Sequence, residues 1–429
     1  MNILRQLSFL LIGVFPLLAT LAQPVTPTIA GTPSIDDVES IWIPTWVSSQ
    51  QLTEPHNLPP EPGLSGCTLR QIVRPTLRGT RVRVVFSNEY GNAPLTIEAA
   101  HIAQSTGDAS IDSGSQAQLL FNGQSGTVIQ PGSIMYSDAI DFEVGAFNNL
   151  AVSIYTTSAP SDITGHPGSR TTSYIAEGNL CTESDLPGAN KTDHWYLLSS
   201  IEVLAAGDSE AIVVLGDSIT DGRGSTTNMN NRWPDVFANR LHEHPATQHF
   251  AVLNQGVGGG RILRDGLGTA AIGRFDRDIV AQPNVRWLIV LMGVNDIGTA
   301  PGARAVGQPA PSTEDMIAAY RQMIVRAHSH DIKVVGCTIM PFGESFYDCE
   351  ESETQRSEVN AWIRTCGEFD AIIDFDRITR SADNPTKLSA DIDCGDHLHP
   401  SAEGHRIMGE AVDLALFVES GQENPLGTE

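Results

Sequence analysis

The chain is short of positive charge. Lys and Arg number 26 against 51 Asp and Glu, a formal net charge of −25. No basic face is available to release counterions from a phosphate backbone or an anionic bilayer, so nucleic acid is excluded as an expected partner. Beyond the first 22 residues no run reaches the roughly 18 apolar residues that a membrane span requires. There is no internal repeat and no basic run. Charged residues make up only 18% and apolar residues 41%, a balance that excludes wholesale disorder. Cysteines are few but even in number, six in 429 residues. An even count suits an oxidising compartment, and the length allows two or three domains at about 150 residues each.

What is present is ordered along the chain. Arg5 precedes an apolar stretch over 7–22, interrupted by Pro16 and ending in Thr20, Leu21 and Ala22. This pattern reads as a signal peptide, 1–22, and predicts a secreted, extracellular protein. A Pro/Thr/Gly-rich leader follows over 23–37. From 38 to 206 the apolar runs are short: 69–73, 81–87, 96–103, 117–121, 127–129 and 150–155, separated by Gly/Asn/Pro/Ser turns. Strands at that spacing, with almost no helical period, predict an all-β sandwich or jelly roll. Asn190, in the sequon Asn190-Lys191-Thr192, is a candidate glycosylation site in a turn-like segment.

The pattern changes after 207. Runs at 211–215, 250–253, 287–292, 333–340 and 371–375 are almost continuously apolar, and stretches of helical period lie between them at 233–242, 313–328 and 357–366. Strands apolar on both faces, alternating with helices, predict a parallel sheet covered on both sides, a three-layer α/β/α domain over 207–420. A polar tail, 421–429, closes the chain.

Ligands of open parallel sheets bind outside the carboxyl ends of the strands. Four of the five endings carry chemistry. The first leads into Gly216-Asp217-Ser218-Ile219-Thr220-Asp221-Gly222, the second into Gln255-Gly256-Val257-Gly258-Gly259-Gly260, and the third into Gly293-Val294-Asn295-Asp296. Beyond the fifth stands Asp396-His397-Leu398-His399-Pro400, ahead of a helix beginning near Ser401. A serine on a strand-to-helix turn exposes its hydroxyl near open N–H groups, which makes Ser218 the nucleophile candidate. Asp396 and His399 supply an orienting carboxylate and a base. Gly259 permits close backbone approach and donates an N–H, and the Asn295 amide is a neutral donor, so Ser218, Gly259 and Asn295 are the candidate oxyanion hole.

At these residues the sequence resembles the SGNH, or GDSL-type, hydrolase family, whose four blocks contribute Ser, Gly, Asn and His. Gly216-Asp217-Ser218 matches the first block, with Ile219-Thr220 in place of a Ser-Leu ending. Gly259 falls on the second, within a register that Gly258 and Gly260 leave open by one residue; Gly260 stands where members often have Asn or Asp. Asn295 matches the third, and Asp396 with His399 the family's Asp-x-x-His. The β-rich first half is also similar to a secreted subgroup of such esterases. The resemblance implies ester hydrolysis through an acyl-serine intermediate, without cofactor or metal. Acetyl-type esters of carbohydrates are the expected substrate class. A lipid acylhydrolase or lysophospholipase, and a non-catalytic carbohydrate-binding protein on the same scaffold, are the alternatives.

Several residues compete for roles. His397 is the alternative base, and with Asp396 and His399 it also resembles a metal site. Asp217 and Asp296 are read as acceptors of turn N–H groups, and Asp221 as another such acceptor or a cleft residue. His405 is read as surface or structural. His166 is read as a turn residue, with a substrate loop as the alternative, and Trp42 and Trp46 as core rather than a sugar platform. Among the cysteines, Cys67 and Cys181 bracket the β-rich half and are expected to pair. Of the three pairings open to the other four, Cys349 with Cys394 and Cys337 with Cys366 is preferred.

Overall fold

The computed structural model describes residues 40–418. The expected signal peptide, leader and polar tail lie outside the described residues. Antiparallel strands occupy 40–206, and the parallel sheet begins at Glu210.

In the first region one sheet orders Ser40–Val47, Leu198–Ala206, Gly79–Ser87 and Ile140–Val144 side by side. A larger one orders Asn190–Thr192, Ser173–Glu177, Cys67–Val73, Leu150–Ser158, Leu95–Gly107 and Ser110–Ile111. The period of two that defines a half-buried strand is visible in the burial. Val82, Val84 and Phe86 are fully buried, while Arg81 and Arg83 on the opposite face reach solvent. Trp46 meets Trp195 edge to face in the core, and Trp42, half-buried, lies under the Arg83 guanidinium.

The second region is a five-stranded parallel sheet in the order Phe250–Gly256, Glu210–Gly216, Val285–Leu291, Lys333–Cys337, Ala371–Ile373. In chain order this is 2-1-3-4-5, so the switch point lies beside the first strand, where loops diverge and a crevice opens. Gly216 pairs with Gly256 on one side and Leu291 on the other, so three strands end at one level.

Helices α1 (Ser218–Asp221), α2 (Trp233–Glu243), α3 (Ala271–Phe275), α4 (Val294–Ala305), α5 (Thr313–His328), α6 (Glu350–Thr365), α7 (Phe375–Thr379) and α8 (Ala402–Ala411) connect and cover the strands. The residues of α5 show why it forms: a capping box of Ser312 and Asp315 starts it, and Met316, Ala319, Tyr320, Met323 and Ala327 make its buried stripe.

One apolar core runs through both regions. The edge strand Phe250–Gly256 is not left open: Val252 N–H donates to Thr76 Oγ1 (3.0 Å), and that hydroxyl donates back to Val252 O (3.3 Å). No helix among the described residues is long and apolar enough to cross a membrane.

The expected disulfides are absent from the structure. Cys67, Cys181, Cys337, Cys349, Cys366 and Cys394 are all free. The reason is clearest for the first pair. Successive strand residues face opposite ways; Cys67 packs with Leu69 in the main core, whereas Cys181 lies beside Thr68 and Arg70 on the other face. Cys349 is occupied as the cap of α6, its Sγ accepting from Ser352 N–H (3.4 Å), and Cys337 is sealed at the end of its strand. Asn190 is exposed as expected, but it sits in the short strand Asn190–Thr192 rather than in a turn.

Candidate active site

The first strand runs into Asp217, which caps α1 by accepting the Ile219 N–H at 3.0 Å. Ser218 is therefore the first residue of a helix, where its own N–H has no intrahelical acceptor. Its Oγ lies 2.8 Å from His399 Nε2, and His399 Nδ1 lies 2.7 Å from Asp396 Oδ2. A carboxylate is an acceptor only, so Nδ1 carries the proton and Nε2 presents its lone pair to the serine hydroxyl. Asp396 Oδ1 takes the N–H groups of Leu398 (3.0 Å) and His399 (2.8 Å), which folds the loop so that residues three apart face each other. Ser401 then caps α8 directly behind the loop.

The other two strands of the trio deliver the remaining groups. Among the three glycines, Gly260 has its N–H committed to Val257 O (2.9 Å), while Gly259 takes a φ of +66° and keeps its N–H free of any bond within the described residues. Asn295, in the first turn of α4, spends one Nδ2 hydrogen on Gly260 O at 2.9 Å and retains the other. Gly260, which stands where family members often have Asn or Asp, contributes its carbonyl to Asn295 instead. Ser218, Gly259 and Asn295 all follow strands that end at one level.

Residues 214–407 match the family described as GDSL-like Lipase/Acylhydrolase. The chain carries a GDSL-like lipase/acylhydrolase domain. It is a carboxylic ester hydrolase. Similar solved structures include the acetyl xylan esterase AlAXEase, 19% identical, covering 47% of this chain and 96% of that one with a TM-score of 0.37. A GDSL-like lipase from Bacteroides thetaiotaomicron VPI-5482 is 16% identical, covering 48% of this chain and 88% of that one, TM-score 0.35. Est24, a carbohydrate acetylesterase from Sinorhizobium meliloti, is 14% identical, covering 47% and 96%, TM-score 0.36. No curated protein matches the chain.

Within the GDSL-like domain the electrostatics favour a neutral base. Burial lowers the proton affinity of His399; Asp396 pulls it back up, and the Arg223 and Arg170 guanidiniums push it down again, with a net lowering. For Asp396 burial acts to raise the pKa, but the His399 N–H and ring outweigh it and hold the carboxyl at about 2. A base must be neutral to accept the serine proton, so kcat/KM rises with pH as His399 deprotonates. Because that pKa is lowered, half-maximal kcat/KM is expected below the usual histidine value of about 6.5. A pH–rate profile with its acid limb above that value would contradict the arrangement.

Two buried acids lie beneath the site. Burial raises Asp217 to about 7, against the Ile219 N–H bond, and raises Asp296 to about 6, against N–H bonds from Ile262 and Leu263. Asp217 holds its own turn as expected. Asp296 holds the glycine loop instead of its own, through Ile262 N (2.8 Å) and Leu263 N (3.3 Å).

The other histidines fall away from catalysis. His397 is exposed, takes a φ of +61° and pairs with Asp393 at 2.7 Å, so it faces away from Ser218. A metal at His399 would have to displace either Ser218 or Asp396, since both ring nitrogens are engaged. His405 is buried, not on the surface; it accepts from Trp233 N (3.2 Å) and donates to Arg223 O (3.0 Å), with burial lowering it to about 4.

Three contributors, Tyr347, Arg274 and Ser49, were missed by sequence reasoning, and the partners of His166 were not foreseen. Tyr347, from the loop after the fourth strand, donates its hydroxyl to Asn295 Oδ1 at 3.0 Å and so fixes which end of the amide faces the cleft. Its ring lies on α4 at Gly298, where a Cβ would stand 2.1 Å from the ring. Tyr347→Phe is expected to lower kcat about fivefold with KM little changed, the cost of one hydrogen bond at about 1 kcal/mol; steady-state kinetics check it.

His166, expected in a turn, lies instead in the strand Thr164–His166. It is buried with Nε2 2.8 Å from Asp221 Oδ1 at the end of α1 and Nδ1 donating to Ser49 O, also 2.8 Å. Arg274, 2% exposed, donates to Gly216 O (3.1 Å), Gln255 O (2.9 Å) and Asp278, clamping the ends of the first two strands. Ser49 closes the network by donating to Asp278 Oδ2 at 2.6 Å. The β-rich region thereby braces the turn that carries Ser218.

Proposed function

We propose that the protein is a secreted serine esterase acting on short acyl esters of carbohydrates. Ser218 is the nucleophile, His399 the base that takes its proton and later returns it to the leaving alcohol, and Asp396 the group that fixes the histidine tautomer. The oxyanion lies among the N–H groups of Ser218 and Gly259 and the Asn295 amide, and water then releases the acid from the acyl-serine. The Ser218–His399–Asp396 chain of contacts at 2.8 and 2.7 Å carries this reading.

The two larger antiparallel sheets, with the small sheet of Trp195–Tyr196, Thr164–His166 and Gln51–Leu52, are read as a β-sandwich accessory domain whose role is to brace the catalytic turn, supported by the Ser49 and His166 contacts. Extracellular location rests on the N-terminal sequence pattern. The short-acyl preference is tested with p-nitrophenyl acetate, butyrate, octanoate and palmitate. The expected order is falling kcat/KM with chain length. A long-chain acylhydrolase would instead use the apolar hollow between Leu263, Ile272, Pro309, Pro311 and Ala319, and faster turnover of octanoate or palmitate would favour it.

A further inference from the structure

Two arginines flank the base without an acidic partner. After α1 the chain turns at Gly222 (φ +105°), and Arg223 N–H bonds Ser218 O at 2.8 Å. The next residue, Gly224, packs so tightly on the base loop that a Cβ would stand 2.0 Å from Pro400 O and 3.2 Å from Cys394 Cβ. Arg223 is thus fixed at the seam between nucleophile and base.

Arg170 arrives from the β-rich region. Its loop rests on the same elements: Gly168 abuts the Asp221 carboxylate, Arg170 O accepts from Asn228 N (2.9 Å), and Thr172 N–H donates to Asn228 Oδ1 (2.8 Å). Arg170 itself holds a φ of +50°, a strained conformation for a non-glycine residue. Both guanidiniums act on His399.

Several buried or half-buried arginines of the fold find acids: Arg232 with Asp235, Arg277 with Asp278, Arg356 with Asp376, Arg364 with Asp374. With 51 acids against 26 cations, partners are abundant. Yet neither Arg170 nor Arg223 forms an ion pair or side-chain hydrogen bond among the described residues, and Arg170 Nε is buried with no acceptor. A buried guanidinium donor left open in a loop packed against the nucleophile's helix is available to a ligand acceptor.

We infer that Arg170 and Arg223 form an anion subsite and that the preferred ester carries a carboxylate or phosphate next to the scissile group. This rests on the serine-esterase reading above and narrows it. The guanidinium fork matches either oxyanion, so the probes separate the two sources on one sugar frame.

Four acetylated monosaccharides serve as probes: methyl galacturonoside with a free carboxylate, the same sugar with its carboxyl methyl-esterified, glucose 6-phosphate, and glucose. p-Nitrophenyl acetate is run beside them. The wild type is expected to favour at least one charged probe over its neutral partner by on the order of tenfold in kcat/KM, a ratio consistent with a charge-assisted contact. In Arg170→Gln/Arg223→Gln the ratio is expected to fall toward one. Arg223 is exposed, so Arg223→Gln alone should show a partial fall even if the Arg170 change impairs folding. Turnover of all esters without regard to charge, or a charge preference that survives the double substitution, would overturn the subsite alone. No turnover of any probe, p-nitrophenyl acetate included, would overturn the esterase reading and the subsite with it.

Discussion

Ser218→Ala is expected to reduce kcat on p-nitrophenyl acetate by on the order of 10⁶-fold, the scale on which nucleophile removal acts in serine hydrolases. The argument is geometric. The Ser218 hydroxyl donates to His399 Nε2 at 2.8 Å, and no other hydroxyl among the described residues contacts that nitrogen. Ser218 is 9% exposed and its hydroxyl makes no second bond among the described residues, so its removal leaves no unsatisfied partner there apart from His399. The fold should be unchanged, and a near-wild-type thermal unfolding midpoint separates loss of chemistry from loss of structure. Residual turnover within a hundredfold of wild type would show that another group attacks.

Asp396→Asn is expected to lower kcat by about 10⁴-fold while leaving the backbone of the loop intact. The amide oxygen can still accept the Leu398 and His399 N–H groups that Oδ1 holds now. The NH₂ would then face His399 Nδ1, where Oδ2 now sits at 2.7 Å. Two donors cannot meet, so the ring is driven to the tautomer with its proton on Nε2, facing Ser218. In that tautomer it cannot accept the serine proton. Steady-state kinetics at neutral pH measure the loss, and a decrease below tenfold would mean that Asp396 does not set the tautomer.

Much of the site was legible because its chemistry is local. Three of the four blocks sit within a few residues of a strand end, and the strands before Ser218, Gly259 and Asn295 are continuous apolar runs that stand out without knowledge of their partners. The helix α5 likewise announces itself by its cap and period. What escaped reading depends on distant partners. Tyr347 reaches Asn295 over 52 residues, His166 reaches Asp221 over 55, and Ser49 reaches Asp278 over 229. No spacing rule connects them.

Local propensity also misled. Helix α4 contains Gly298, Pro301 and Gly302, all poor helix formers, and forms because Val294, Ile297 and Ala300 are buried. The first turns of α6 are acidic and carry little apolar period, so only its second half was expected; Cys349 capping places the start at Glu350. The pairing of Cys67 with Cys181 was drawn from their positions at the two ends of the β-rich half, which takes no account of which strand face each sulfur occupies.

The central claim is that Ser218 attacks the ester and carries the acyl group. The most direct test is labelling of the purified protein with a serine-directed p-nitrophenyl phosphonate, followed by peptide mass analysis. The account predicts one phosphonyl group per chain on the peptide bearing Ser218, with activity lost in proportion and no label in Ser218→Ala. Label on a different residue, or full activity after Ser218 is modified, would contradict it.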